Sequence, residues 1–160
     1  MEMICLYRLN DFITVHDDVT MITIDNIYET KDVMGAILEH ISQMNMEIDI
    51  VDYHINYKGS KLTILVENSG ILRAISAAGM FKDKINSIMC DVYCLNTAIT
   101  VLTRDTPIND AVKIIRALEK CEIELYHLFA GIGGLTVVIN EAYTDRVCNL
   151  LIDIFDKRTF

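Results

Sequence analysis

Residues 25–32 place several polar side chains directly before a predicted helix, and this segment is the part of the sequence best suited to bind a small ligand. The first turn of a helix presents unpaired amides and the positive end of the helix dipole, which suit a carboxylate. Glu29 in the same segment, or Asp49 on the next predicted strand, could pair with an ammonium group. An amino acid carries both groups, so the segment is a candidate amino-acid site. An ordinary polar loop is the alternative interpretation.

The other residue types that could do chemistry form no recognisable catalytic or metal site. The run Gly131-Ile132-Gly133-Gly134 lies between two predicted strands, whereas a phosphate-binding loop precedes a helix, so we predict a hairpin turn. The histidines lack metal-ligand spacing, and the odd number of cysteines without a CxxC motif favours buried thiols in a reducing compartment. A Cys90–Cys94 redox or metal pair is the alternative. We expect no catalytic residue, no bound metal and no cofactor. The histidines are His16, His40, His54 and His127, and the other cysteines are Cys5, Cys121 and Cys148.

An internal repeat organises the elements that would position the candidate site. Residues 20–51 are followed by a similar segment at 97–128, without a gap. Each copy predicts a strand, a helix with apolar residues at helical spacing, and a second strand. After a turn, a third strand also recurs, at residues 62–66 and 135–139. The pattern therefore indicates two copies of a β-α-β-β-α unit, which is typical of a binding or regulatory module.

The order of these elements predicts an α+β fold. We expect two ferredoxin-like βαββαβ units, each an antiparallel four-stranded sheet with its helices on one face. The first unit should span residues 15–95, and the second should span residues 96–160 together with residues 1–14. Residues 10–18 hold turn formers and three aspartates, so we predict a loop there. The second copy lacks a closing strand, and we expect the strand predicted at residues 4–9 to pair into its sheet.

Composition excludes several classes of partner. A formal net charge of -9 would repel a polyanion, so we expect no nucleic-acid partner. No apolar run approaches the roughly 20 residues of a membrane span, and the first residues do not resemble a secretory signal. We therefore expect a cytoplasmic protein without a membrane partner. A single copy of the repeat would bury only a marginal core, and Ile- and Val-rich strands with an open sheet edge predict a homodimer.

The repeat resembles the tandem ACT domains of the aspartokinase family. Residues 19–54 are similar to the first ACT domain, with Ile22-Thr23-Ile24 as the first strand and Asn45-Met46-Glu47-Ile48-Asp49-Ile50-Val51 as the second signature. Residues 97 onward resemble the second ACT domain, and nearly all of the chain is similar to the regulatory half of an aspartokinase. The family's second asparagine in that signature is replaced by Glu47, and its usual glutamine by Tyr53. The resemblance covers no kinase domain.

This resemblance implies a non-catalytic regulatory protein that binds lysine or threonine and restrains a kinase catalytic subunit. The effector positions that it implies are Asn26, Ile27, Tyr28, Glu29, Thr30, Lys31, Glu47, Asp49 and Tyr53. The fixed charge of Glu47 favours a ligand with a basic side chain, so lysine is expected before threonine. A structural dimerisation module with a degenerate effector site is the alternative function. An enzyme on the same scaffold is a third hypothesis, which the lack of a catalytic constellation disfavours.

Overall fold

The computed structural model describes residues 6–10, 12–26, 33–43, 48–56, 59–67, 70–82, 88–103, 107–131 and 134–155. The chain divides into two compact units, which we call the central unit (Val19–Cys94) and the terminal unit (Met1–Asp18 and Leu95–Phe160). The fold is a mixed α/β arrangement of antiparallel strands and four α-helices in the described residues. In chain order the strands and helices are β1 (Leu6–Asn10), β2 (Ile13–Asn26), α1 (Val33–Gln43), β3 (Ile48–Asn56), β4 (Gly59–Glu67), α2 (Ile71–Lys82), β5 (Ile88–Val101), α3 (Pro107–Lys120), β6 (Leu125–Gly131), β7 (Gly134–Asn140) and α4 (Thr144–Phe155).

The central unit is organised around β4, which lies between β3 and β2 and is antiparallel to both. Five consecutive residues of β4, numbers 62–66, are buried. On β2 the apolar residues Ile22 and Ile24 are fully buried as well. Helix α1 contacts α2 and buries Ile37 and Ile41, which are spaced by four residues and so lie on one face of the helix. This spacing agrees with the helix predicted from the sequence.

The terminal unit is organised in the same way around β7, which lies between β5 and β6. The first half of β2 lies on the other side of β5. The Leu102 amide donates to the Phe12 carbonyl at 2.8 Å, and the Thr97 hydroxyl donates to the Asp17 carboxylate at 3.2 Å. Helices α3 and α4 contact each other over a single apolar cluster. Its buried residues are Ile13, Val15, Ile99, Val101, Ile114, Leu118, Ile123, Leu135, Val137, Ile139, Val147, Cys148, Leu151 and Phe155.

The loop predicted at residues 10–18 is wrong, because most of this segment belongs to strands. β2 begins at Ile13, and both Ile13 and Val15 are fully buried, which is the period-two pattern of a strand. These residues fill the place beside β5 that we expected residues 4–9 to take. β1 pairs instead with residues 13–16 of β2, so it also belongs with the terminal unit. The three aspartates misled the prediction, since a strand can carry charges on its polar face.

Glu122 and Gly134 of the terminal unit adopt backbone conformations with a positive φ. Helix α3 ends in a Schellman motif, in which the Ile123 amide donates to the Leu118 carbonyl and the Glu122 amide donates to the Glu119 carbonyl, each at 3.0 Å. Glu122 occupies the left-handed position of that motif with a φ of 55°. Gly134 starts β7 with a φ of 140°, and a Cβ added there would lie 2.0 Å from the Val101 carbonyl oxygen. Only glycine fits at Gly134 without displacing backbone atoms.

Candidate functional site

The candidate site begins where β2 of the central unit ends. Asn26 is the last residue of β2 and pairs in register with Ser60 on β4. The preceding pair joins Asp25 and Lys61, whose carboxylate oxygen and ammonium nitrogen lie 3.8 Å apart. Both side chains are partly exposed, so this ion pair is screened by solvent and contributes little to stability. It does place one fixed cation and one fixed anion beside the end of β2.

Lys61 was missed by the sequence interpretation, which considered the loop after β2 and positions on β3 but not β4. The signal that could have found it is the register of the β3–β4 hairpin, because Lys61 follows the turn by two residues. His54 is the partner of Lys61 on β3. His54, Lys61 and Asp25 therefore occupy one row across three strands.

Tyr53 lies on the strand β3 and pairs with Leu62 of β4. Leu62 is two residues from Ser60, which pairs with Asn26. Its side chain is 43% exposed, and its neighbours on the same face of β3, Val51 and Ile55, are 50% and 66% exposed. Three large apolar side chains thus face solvent along one edge of the central unit. Exposed apolar surface of this kind commonly marks an interaction site.

Asp49 is the extra residue of a β-bulge near the start of β3. Its neighbours Ile48 and Ile50 pair with Val66 and Leu65, so Asp49 itself has no residue opposite it. Leu65 follows Ser60 by five residues along β4, which corresponds to about 17 Å at roughly 3.3 Å per residue. Along the strand direction, Tyr53 lies two residues from the row of Asn26, whereas Asp49 lies near the opposite end of the strands.

The remaining predicted positions lie outside the described residues. These are Ile27, Tyr28, Glu29, Thr30, Lys31 and Glu47. Helix α1 begins at Val33 in the described part of the chain.

The terminal unit has the same local geometry but different side chains. Its β6 strand carries a register shift between Leu125 and His127, which makes Tyr126 the extra residue. Tyr126 follows Asp49 by 77 positions, which is the offset of the sequence repeat, so the bulge is repeated and the carboxylate is not. Gly131 and Gly134 are paired at the ends of β6 and β7, which confirms the hairpin predicted for this run.

The start of α3 carries a buried carboxylate. Asp110, in the first turn of α3, is fully buried and lies 3.4 Å from the ammonium of Lys113. A buried carboxylate with a cationic partner one turn along its helix stabilises the start of that helix. Pro107 occupies the first position of α3, and a proline there offers no amide to a ligand.

The described residues contain no group of three or more His, Cys, Asp or Glu side chains arranged to hold a metal. Within the described part of the chain, no helix is long and apolar enough to cross a membrane. Cys90, Cys94, Cys121 and Cys148 are thiols that form no disulfide. Burial, followed by the carboxylates of Asp145 and Asp17, raises the pKa of Cys148 to about 11, so this thiol stays protonated at neutral pH.

Solved structures of other proteins match this chain, whereas protein families do not match its sequence. No protein-family model matches the chain, and no curated protein matches it in sequence. A crystal structure of aspartokinase alpha and beta subunits matches with a TM-score of 0.78 at 17% identity, over 91% of this chain and 97% of that chain. The ligand-free regulatory subunit of aspartate kinase from Thermus thermophilus matches with a TM-score of 0.76 at 11% identity, over 90% and 97%.

The chain has the fold of an aspartate kinase regulatory subunit. The aspartate kinase of Clostridium acetobutylicum matches as well, with a TM-score of 0.73 at 12% identity over 89% of this chain. The match covers 34% of that kinase, so this chain corresponds to about one third of it. The resemblance stated from the sequence is therefore confirmed at the level of the fold.

Proposed function

We propose that this chain is an amino-acid-sensing regulatory protein that acts in the manner of an aspartate kinase regulatory subunit. The observation that carries the proposal is the match over 90% of this chain and 97% of the Thermus thermophilus regulatory subunit. The similarity extends through both units of the chain. We further propose two ferredoxin-like units of ACT type, with boundaries near residues 15–95 for one and residues 96–160 plus 1–14 for the other. The repeated strand order and the repeated bulge support this assignment.

The proposed effector site lies at the connection between β2 and α1 in the central unit. Residues 26–31, together with Glu47, Asp49 and Tyr53, are its proposed contacts. Amides at the start of a helix would receive the effector carboxylate, and the carboxylates of these acidic residues would pair with its amino groups. A surplus of acidic groups favours a ligand with two cationic groups. We therefore expect lysine to bind more tightly than threonine.

A second copy of the chain would complete this site. Antiparallel pairing of two β3 edges centred on Val51 would bring Asp49 of the partner subunit opposite Tyr53. The long separation between Asp49 and Asn26 within one chain, together with the exposed apolar side chains of β3, supports such an arrangement. A symmetric pair of this kind is an isologous interface, which closes as a dimer. The proposed assembly is a homodimer whose effector sites include residues from both subunits.

The chain itself is proposed to perform no catalysis and to act on a separate kinase catalytic subunit. Purified protein should show no aspartate-dependent turnover of ATP. Aspartate-dependent ATP turnover that copurifies with the folded chain, and that disappears when the chain is unfolded, would overturn this part of the proposal.

Ligand-dependent stability is the direct test of sensing. A ligand at 100 times its dissociation constant adds about 2.7 kcal/mol to the free energy of unfolding, so a thermal-shift series with lysine and threonine should separate them. We expect lysine to raise the melting temperature more than threonine does, and calorimetry to give a measurable dissociation constant for lysine. The absence of any shift with either amino acid would contradict the sensing function.

A dimerisation module without an effector is the second candidate function. The exposed apolar face of β3 favours it, because this face can support association with or without a ligand. Sedimentation in the presence and absence of lysine distinguishes the two functions. A dimer whose stability does not depend on any amino acid would indicate the dimerisation module, and a ligand-strengthened dimer would indicate the sensor.

A further inference from the structure

Helix α3 of the terminal unit has two rows of side chains with the same spacing. The buried row holds Asp110, Ile114 and Leu118, each four residues from the next. A second row begins two residues earlier, and residues two apart on a helix point to nearly opposite sides of it. All four members of this second row, which we call the α3 ridge, are exposed. They are Ile108, Val112, Arg116 and Lys120.

The α3 ridge is apolar in its first half and cationic in its second half. Ile108 is 72% exposed and Val112 is 41% exposed, so two large aliphatic side chains follow each other one turn apart. Arg116 and Lys120 continue the row. Among the described residues, no carboxylate forms an ion pair with either of these two cations, whereas Lys113 has one. The ridge therefore offers apolar contact and two cations along about 18 Å of the helix.

The charge of α3 differs from that of the chain as a whole. The helix carries 3 of the 14 Lys and Arg residues but only 2 of the 23 Asp and Glu residues. One of these acids, Asp110, belongs to the buried row, which leaves Glu119 as the exposed carboxylate of α3. A partner of complementary charge is therefore acidic. The α3 ridge of a second copy would present the same two cations, so it does not supply that charge.

We propose that the α3 ridge is a docking surface for an acidic amphipathic helix of another protein. Apolar side chains of that helix pack on Ile108 and Val112, and its carboxylates pair with Arg116 and Lys120. A guanidinium binds a carboxylate through two parallel hydrogen bonds, which fixes the position of the partner helix along the ridge. Rows of residues four apart pack into the grooves of a facing helix. The surface belongs to the terminal unit and does not depend on the sensing function proposed for the central unit.

A synthetic peptide serves as the probe for this surface. It is a fluorescein-labelled, alanine-rich helix of about 16 residues, with two leucines one turn apart and two glutamates one turn apart on the same face. Fluorescence anisotropy with the full chain should give a dissociation constant of about 100 µM or tighter. A control peptide with glutamine in place of both glutamates should bind about tenfold more weakly. No binding of the acidic peptide at about 1 mM, or equal binding of both peptides, would overturn the proposal.

Helix α2 of the central unit supplies matched control substitutions, because Leu72 is 78% exposed and Arg73 is exposed beside it. Ile108→Ser and Arg116→Glu should each weaken peptide binding about tenfold, whereas Leu72→Ser and Arg73→Glu should leave it within about twofold. Equal losses from both helices would indicate non-specific attraction and overturn the α3 ridge as the docking surface. Binding to phosphatidylserine vesicles that depends on Arg116, without binding of the peptide, would identify a membrane surface as the partner and overturn the proposal as well.

Discussion

The central and terminal units share one backbone plan and differ in the side chains at its special positions. Both contain a two-residue hairpin connection followed by a glycine with φ near 140°, and both carry a bulge at the same place in the repeat. The central unit has Asp49 at that bulge, and the terminal unit has Tyr126. The repeat therefore keeps the geometry of the strand and changes the side chain at its bulge.

Side-chain hydrogen bonds connect several elements of the terminal unit. The Thr97 hydroxyl lies 2.7 Å from the Thr144 hydroxyl, whose single proton can go either to Thr97 or to the Glu141 carbonyl at 2.8 Å. These bonds connect β5 to the start of α4, and Asp17 adds a further acceptor from β2.

The largest expected effect comes from Gly134→Ala in the terminal unit. A Cβ at this position collides with the Val101 carbonyl, and the backbone conformation is unfavourable for alanine, so we expect a loss of about 3 kcal/mol or more. Gly131→Ala is the control, because a Cβ there meets no atom within 4 Å. Urea unfolding should separate the two variants. Equal stabilities would show that the close approach of β7 to Val101 is not a constraint.

A second prediction concerns the carboxylate that distinguishes the two bulges. Asp49→Ala should weaken lysine binding by about 2 kcal/mol, or roughly 30-fold, because it removes the partner of a buried ammonium. Asp110→Asn is the control and should leave the affinity within about threefold, since Asp110 belongs to the terminal unit and the proposed site to the central unit. Calorimetry measures both. If the affinity for lysine survives Asp49→Ala and vanishes with Asp110→Asn, the assignment of the effector site to the central unit is wrong.

The paired threonines of the terminal sheet give a smaller effect. The Thr100 and Thr136 hydroxyls lie 2.8 Å apart on neighbouring strands. Thr100→Val should cost about 1 kcal/mol because it leaves the Thr136 hydroxyl without this partner, and adding Thr136→Val should recover much of that loss. A double-mutant cycle in urea measures the coupling. Strict additivity of the two substitutions would show that the hydroxyl contact contributes nothing.

The smallest effect expected is a gain in stability. Glu122→Gly should stabilise the terminal unit by about 0.5–1 kcal/mol, because glycine adopts the left-handed conformation of the Schellman motif without steric cost. Glu119→Gly, within the last turn of α3, should instead destabilise by a similar amount. Thermal unfolding of the two variants should thus shift in opposite directions. A loss of stability in Glu122→Gly would mean that its side chain makes a contact more important than its backbone conformation.

The sequence predicted the repeated elements well because apolar spacing reports directly on burial. Ile37 and Ile41, or Ile114 and Leu118, are four residues apart and buried as the helical period requires. The strand at Ile13 was missed because three nearby aspartates outweighed a short period-two pattern. The bulge at Asp49 was beyond prediction, since it depends on pairing register between strands, which local residue types do not specify. The distance from Asp49 to Asn26 follows from that register, so the geometry of the site could not be predicted either.

The interleaved path of the chain has a consequence for how the protein is made. The central unit is continuous from Val19 to Cys94, whereas the terminal unit combines Met1–Asp18 with Leu95–Phe160. During synthesis the central unit can fold as soon as its last strand leaves the ribosome. The strand that begins at Ile13 must wait for β5 and β7, which are made much later, so its buried face stays exposed for most of translation. Early hydrogen-exchange protection in residues 19–94, followed by joint protection of residues 13–18 and 96–140, would be the signature of this order.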